Sequence, residues 1–134
     1  MPGRVLIDTS VWIDFFRKSD ANRFERVASL LREGCAVGTG VVVLELLRGS
    51  KTDQEVRLVK ELFDTIHTIN PTPATYFSAG ELGHRMARKG RTMSVVDLLI
   101  AQLALENDHA LFTLDHHFRL IADHIPLRLL EQLG

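Results

Sequence analysis

The chain has 134 residues and a hydrophobic content of 46%, enough for one globular domain over residues 1–134 that buries about two-thirds of its unfolded surface. Its 16 basic and 17 acidic residues give a formal net charge of −1, which excludes a general electrostatic attraction to nucleic acid. The apolar runs fall short of the roughly 20 residues that a membrane span needs, and the N-terminal residues lack a signal-peptide layout, so we expect a cytoplasmic protein.

Short β-rich runs alternate with helical patterns in the first half of the chain. Residues 4–8 (RVLID) predict a strand, and the hydroxyl of Thr9 or Ser10 is placed to cap a helix behind it. Apolar residues recur at helical spacing in RFERVASLLREG, a helix that we expect to end at Gly34 through a left-handed cap. The other elements predicted here are a strand at 35–38, a helix from Thr39 or Gly40 to Arg48 or Gly49, and a helix over 53–66.

The second half continues this alternation. Residues 67–70 predict a third strand, and Pro71 and Pro73 precede a long helix over 75–90. The remaining predicted elements are a helix over 94–107 that begins at Ser94, a strand at 110–114, a short helix at 116–124 and a final edge strand at 126–130. Strands and helices that alternate in this way are typical of βαβ units, so the sequence predicts an α/β fold with a parallel sheet.

Four carboxylates lie in or beside apolar runs, where an ionised acid is unfavourable. They are Asp8 (RVLIDTSVW), Glu45 (GVVVLELLRG), Asp97 (SVVDLLIAQLAL) and Asp115 (ALFTLDHHF). An ionised carboxylate in apolar surroundings needs hydrogen bonds or a cation to compensate its charge. A shared divalent cation would explain all four positions, and carboxylate oxygens suit Mg²⁺ or Mn²⁺.

The predicted topology brings these acids to one edge of the sheet. Asp8 and Asp115 fall at the carboxyl ends of predicted strands, and open parallel sheets bind ligands outside those ends. Glu45 and Asp97 lie in helices, and the N-termini of helices in such a fold adjoin the carboxyl ends of the strands. The sequence therefore predicts a metal site at this edge.

Each acid also has a purely structural interpretation. Asp97 lies three residues after Ser94, as in a helix capping box, and Asp8 is placed to cap the helix that follows it. Asp115 also fits the start of a turn, and Glu45 also fits an exposed helix position.

Four segments of the chain resemble the PIN-domain ribonucleases, specifically the VapC-type toxins of bacterial toxin–antitoxin pairs. They are DTSVWIDF, ELLRG, DLLIAQLA and TLDHHF, in that order along the chain. The resemblance implies a three-layer α/β/α PIN-like domain with a central parallel sheet. It also implies divalent-metal-dependent endonuclease activity on RNA, homodimerisation and inhibition by a cognate antitoxin.

The resemblance carries the family's acidic residues onto Asp8, Glu45, Asp97 and Asp115, with Thr113 matching a hydroxyl residue beside the last acid. We expect Asp8 and Asp97 to bind the principal Mg²⁺ or Mn²⁺ ion, and Asp115 to bind it directly or through water. We expect Glu45 to bind a second ion or to orient the attacking water.

The chain departs from the family pattern at one position. The family commonly has another acid two residues after the one that matches Asp115, where this chain has His117. This histidine and its neighbour His116 are candidates for contact with phosphate. The stretch HRMARKGR at residues 84–91 is the densest basic segment, a candidate for RNA contact or for an ordinary solvated helix end.

Other functional classes fit the acids less well. A phosphoacceptor signalling domain needs an adjacent acidic pair near its first strand, and a DxD phosphatase needs a second acid where this chain has Ser10. The remaining alternative is a catalytically inert PIN-like module that binds RNA or a partner protein. The presence of all four acids argues against that alternative.

Overall fold

The structure, a computed structural model, describes residues 3–130, and its strands and helices alternate as predicted. The strands are β1 (Val5–Ile7), β2 (Ala36–Thr39), β3 (His67–Ile69) and β4 (Ala110–Phe112). The helices are α1 (Thr9–Arg17), α2 (Ala21–Arg32), α3 (Gly40–Gly49), α4 (Asp53–Phe63), α5 (Pro73–Arg88), α6 (Val95–Glu106) and α7 (His117–Ala122).

The four strands form a parallel sheet in the order β3-β2-β1-β4. The first strand is therefore interior, with Val5 paired to Ala36 on one side and to Ala110 on the other. Its Leu6 and Ile7 are fully buried. Strands buried on both faces read as continuous apolar runs, which is why RVLI is apolar throughout its last three residues. Helices flank this sheet, so the predicted α/β fold with a central parallel sheet is confirmed.

Local chemistry sets most of the helix ends. Asp20 accepts a hydrogen bond from the backbone N–H of Arg23 and so caps α2. Gly34 has a φ of +69°, the left-handed conformation expected of a glycine just beyond a helix. α1 ends instead at Lys18, whose φ of +52° is uncommon for a residue with a side chain. The break between α1 and α2 follows from that turn.

The predicted edge strand at 126–130 is reduced to a single β-bridge between Leu111 and Leu129. The backbone N–H of Leu111 donates to Arg128, and that of Leu130 donates to Leu111. Pro126 has no N–H to donate, which limits pairing at the start of the segment. The prediction placed this segment correctly beside the sheet and overestimated its length. Among residues 3–130, no helix combines the length and apolar character needed to cross a membrane.

A close contact between α5 and α6 positions the start of α6. Gly83 faces Leu98 so closely that an added Cβ would lie 2.6 Å from Leu98 Cδ1. Leu98 is buried and directly follows Asp97. The absence of a side chain at Gly83 therefore lets α5 support the turn that carries this carboxylate.

We predict that Gly80→Ala and Gly83→Ala have different effects on stability, although both lie within α5. At Gly80 an added Cβ meets nothing within 4 Å, so alanine should stabilise the helix by about 0.5–1 kcal/mol. At Gly83 the same gain is opposed by overpacking against Leu98, which typically costs about 1–3 kcal/mol. Thermal unfolding of the two variants should rank Gly80→Ala above Gly83→Ala. Equal melting temperatures would mean that Leu98 moves aside without cost.

Candidate metal centre

Asp8 is held by hydroxyl groups from both ends of the chain. It follows β1, its side chain is buried, and its Oδ2 accepts hydrogen bonds of 2.8 Å from Ser10 Oγ and from Thr113 Oγ1. Asp8 occupies the N-cap position of α1 but makes no side-chain capping bond. The capping interpretation of Asp8 is therefore wrong, and its carboxylate is instead fixed in orientation by two neutral donors.

The same hydroxyls also fix the loop after β4. Ser10 Oγ accepts a hydrogen bond of 3.0 Å from the backbone N–H of Leu114. Thr113 Oγ1 accepts one of 3.0 Å from the backbone N–H of Asp115. The turn after β1 and the loop after β4 are thus joined through side chains, and Asp8 and Asp115 are brought to one edge of the sheet.

Asp97 combines a capping position with an unfavourable electrostatic environment. Ser94 Oγ accepts a hydrogen bond of 3.0 Å from the backbone N–H of Asp97, so the predicted N-terminus of α6 is confirmed. Partial burial raises the pKa of the Asp97 carboxyl, and the negative charges of Asp115 and Asp8 raise it further. The Ser94 hydrogen bond and His117 act in the opposite direction. The charged form of this carboxyl is thus disfavoured in the fold, and a cation bound beside it would favour that form.

His117 lies against Asp115. Asp115 Oδ1 accepts a hydrogen bond of 2.9 Å from the backbone N–H of His117, and the ring Nδ1 is 3.3 Å from the same oxygen. One ligand atom from each of Asp97, Asp115 and His117 lies within 4.8 Å of the others. Two carboxylates and one imidazole at this spacing form a set that one metal ion can bind.

Glu45 approaches the same edge from α3. Its Oε1 accepts a hydrogen bond of 2.7 Å from Thr9 Oγ1, the residue next to Asp8. Glu45 also lines a cavity of about 290 Å³ together with Ile13, Phe16, Lys51 and other residues of α1, α3 and α4. The side chain is thus fixed beside the cluster, although it does not belong to the group formed by Asp97, Asp115 and His117.

The electrostatic balance of these acids differs from that of Asp14. The buried carboxylate of Asp14 receives two hydrogen bonds of 3.0 Å from the guanidinium of Arg23, which supplies a full positive charge. Within residues 3–130, no lysine or arginine forms an ion pair with Asp8, Glu45, Asp97 or Asp115. In this part of the chain, the side chains that contact these four acids are hydroxyl groups and one histidine. The cluster therefore retains uncompensated negative charge.

This donor set fits a divalent cation. Carboxylate oxygens are the usual ligands of Mg²⁺ and Mn²⁺, and imidazole is acceptable to Mn²⁺ and to later transition metals. Partial burial first, and then the charges of Asp115 and Asp8, raise the pKa of the Asp97 carboxyl, and a cation bound beside it would act in the opposite direction.

The sequence correctly indicates where the acids meet but not all of the residues around them. Asp8, Asp97 and Asp115 come close enough for their charges to interact, and Thr113 contacts Asp8 directly. The metal-binding roles of these residues and of Glu45 stay predictions. The sequence does not indicate that His117 is a potential metal ligand, because the family commonly has an acid at this position and the histidine is noticed only as a difference from that pattern. It also predicts Thr9 and Ser10 only as helix-start residues, without their contacts to the acids.

The chain is similar in sequence to known proteins of one family. The family model described as the PIN domain matches residues 5–124. Ribonuclease VapC11 of Mycobacterium tuberculosis is 31% identical over 122 residues, which cover 88% of this chain and 91% of that protein. The chain belongs to the VapC ribonucleases of the PIN-domain family. A more distant relative is ribonuclease VapC1 of Methanocaldococcus jannaschii, 28% identical over 110 residues that cover 82% of this chain and 74% of that protein.

Solved structures share the fold of this PIN domain at lower sequence identity. DNA-bound VapBC from Salmonella typhimurium superposes with a TM-score of 0.80 at 18% identity, over 98% of this chain and 99% of that chain. VapBC-1 from nontypeable Haemophilus influenzae gives a TM-score of 0.77 at 24% identity, over 96% and 97% of the two chains. These likenesses establish the PIN-like α/β architecture along nearly the whole chain.

We predict that Ser10→Ala destabilises this PIN domain by roughly 1–3 kcal/mol, because it removes a donor to Asp8 and the acceptor for the Leu114 N–H. Ser19→Ala is the matched control, since Ser19 is exposed in the turn after α1. Urea unfolding of the two variants without metal measures the difference. If Ser10→Ala unfolds at the same urea concentration as Ser19→Ala, the hydroxyl does not hold the two loops together.

Proposed function

We propose that the protein is a Mg²⁺- or Mn²⁺-dependent endoribonuclease and the toxin of a toxin–antitoxin pair. Its proposed catalytic residues are Asp8, Glu45, Asp97, Thr113 and Asp115. The single observation that carries the proposal is the concentration of these carboxylates at one sheet edge without a lysine or arginine to balance them in the described part of the chain. Membership of the VapC ribonucleases supplies the substrate class, RNA.

The ion would be bound by Asp97, Asp115 and Asp8, and Glu45 would lie beside this group without belonging to it. When bound, a divalent cation lowers the pKa of a coordinated water and neutralises negative charge on a phosphodiester. Thr113 and Ser10 keep the Asp8 carboxylate in a fixed orientation, which removes the need to reorganise it during the reaction. Thr9 holds Oε1 of Glu45, and this fixed carboxylate is assigned to orienting the attacking water.

A protein antitoxin is the proposed partner. Structures described as a toxin–antitoxin complex from Klebsiella pneumoniae and as VapBC-5, a member of the VapBC family of toxin–antitoxin systems from Mycobacterium tuberculosis, share this fold. Homodimer formation is also part of the proposal. Tyr76 and Phe77 are 59% and 74% exposed on α5, and a second copy would cover this apolar surface.

We predict that Asp97→Asn abolishes RNA cleavage and leaves the fold intact. Asparagine keeps the size of the side chain but loses the charge that binds a cation. Because the pKa of Asp97 is raised in the folded protein, its ionisation opposes folding at pH values above the unfolded pKa. The metal-free variant should therefore melt at the same or a higher temperature than the wild type at neutral pH. Its melting temperature should rise less when Mg²⁺ or Mn²⁺ is added.

Cleavage of total cellular RNA, with either metal and with chelator, measures the activity. Ser94→Ala is the matched control, since it removes the helix cap at a cost of about 0.5–2 kcal/mol but keeps the Asp97 carboxylate. It should lose stability and keep cleavage. Wild-type cleavage by purified Asp97→Asn would refute the catalytic assignment. The absence of any metal-induced melting shift in the wild type would refute the metal site.

The basic stretch at residues 84–91 supports a path for RNA. Arg85 and Arg88 lie exposed in the last turn of α5, and Lys89 follows at its C-cap. Arg91 is engaged with Asp123 at 3.4 Å. The loop after this stretch leads directly to Ser94 and the turn that carries Asp97. Positive charge is therefore placed immediately before the proposed catalytic turn.

We predict that the triple variant Arg85→Ala, Arg88→Ala, Lys89→Ala binds RNA more weakly than the wild type. The logarithmic salt dependence should flatten by about 0.7 for each phosphate that the variant no longer neutralises. Arg57→Ala with Lys60→Ala is the control, because these exposed cations lie on α4, which carries none of the proposed catalytic residues. Binding is measured with a catalytically inactive Asp97→Asn background. Equal salt slopes for the triple variant and its parent would identify the stretch as a solvated helix end.

A further inference from the structure

We propose that His117 is a direct metal ligand and that it shifts the preference of this site from Mg²⁺ toward Mn²⁺. The inference rests on the proposed metal-dependent function and adds to it the identity of the ion. It concerns a residue to which neither the acidic pattern nor the family membership assigns a ligand role.

The imidazole of His117 lies beside the carboxylates of Asp97 and Asp115. His117 opens α7, and its backbone N–H donates to Asp115 Oδ1 at 2.9 Å, which holds the residue next to the carboxylate. The ring is 65% exposed, so it is free of packing constraints and can turn toward an ion. Its ligand nitrogen lies within 4.8 Å of oxygens from Asp97 and Asp115, which is the separation expected of groups that share one cation.

The carboxylates beside His117 have no balancing cation in the described part of the chain. Oxygens of Asp97 and Asp115 lie within 4.8 Å of each other, and no lysine or arginine within residues 3–130 forms an ion pair with either. A cation at this position would contact both carboxylates and would meet the imidazole at the same time. Asp8, Asp97 and Asp115 already supply the negative charge at this site, and the neutral imidazole adds a ligand atom without adding another negative charge.

The chemistry of the ligand then selects the ion. Mg²⁺ strongly prefers oxygen ligands and retains its waters, whereas Mn²⁺ accepts imidazole nitrogen more readily. A site with two carboxylates and one imidazole thus gains more from Mn²⁺ than from Mg²⁺. In a site with oxygen ligands alone this advantage would be smaller.

A simpler role for His117 is an ion pair with Asp115, which the 3.3 Å separation of Nδ1 and Oδ1 permits. An exposed pair of this kind contributes little to stability and has no consequence for the choice of metal. The two roles therefore predict different results when each metal is titrated separately.

The test compares wild-type protein with His117→Asn, His117→Asp and the control His116→Asn, all titrated with Mn²⁺ alone and with Mg²⁺ alone by calorimetry. Mutation of residues that only support a ligand already lowers metal affinity by roughly 10- to 100-fold, so loss of a direct ligand should weaken Mn²⁺ binding at least about tenfold. Mg²⁺ affinity should change less in His117→Asn and should rise in His117→Asp. His116→Asn should bind both ions as the wild type does, because His116 lies outside the ligand group.

Pulsed electron paramagnetic resonance of bound Mn²⁺ provides a readout that does not depend on activity. A directly bound ¹⁴N should be detected in the wild type and in His116→Asn, and it should be lost in both His117 variants. Bound Mn²⁺ without a coupled nitrogen in the wild type, or equal Mn²⁺ to Mg²⁺ affinity ratios in all four proteins, would overturn the proposal while leaving the ribonuclease function intact. Failure of the wild type to bind either ion would instead refute the proposed metal-dependent function.

Discussion

Uncompensated negative charge at the carboxyl edge of a parallel sheet is the constraint on which this structure depends. Asp14 is a buried acid whose charge is balanced within the fold, since Arg23 donates two hydrogen bonds to its carboxylate. Within residues 3–130, the Asp8 side chain receives hydrogen bonds from hydroxyl groups alone, and burial together with the charges of Asp115 and Asp8 raises the pKa of Asp97. The apolar interior of the sheet and the packing of α5 on α6 hold these charges in place against their mutual repulsion. The acidic edge therefore lowers the stability of the fold when no cation is bound.

Much of the fold follows from local sequence patterns. Local signals come from apolar strands that end in a polar residue, from glycines near helix ends, and from the prolines just before and at the first position of α5. Each of the predicted helices and the first four predicted strands is present. The signal is weakest where pairing depends on distant residues. Residues 126–130 are apolar enough for a strand, but pairing there depends on Leu111 and is interrupted by Pro126, which periodicity alone does not reveal.

The sequence predicts the candidate site best where a residue has a single role, either in local structure or in the acidic cluster. Asp97 serves two, because its backbone completes the Ser94 cap while its carboxyl faces other acids, so the capping and metal interpretations are not exclusive. Asp8 resembles a helix cap in sequence, yet its hydrogen bonds reach Thr113 across the sheet. The contact between Thr9 and Glu45 likewise joins distant segments. Such contacts are set by tertiary packing, and a sequence pattern contains no information on which hydroxyl will face which carboxylate.

The hydrogen bond between Thr113 and Asp8 spans 105 positions of the chain. β1 is interior in the sheet, and its partner β4 is the last of the four strands to be synthesised. A nascent chain must therefore be extended beyond β4 before Asp8 can lie beside both Asp97 and Asp115. Contacts between such distant residues also form late in folding, because the intervening chain must first be ordered. A chain whose synthesis has not passed β4 therefore lacks the assembled acidic edge, because Asp115 and the loop that carries it have not yet been added.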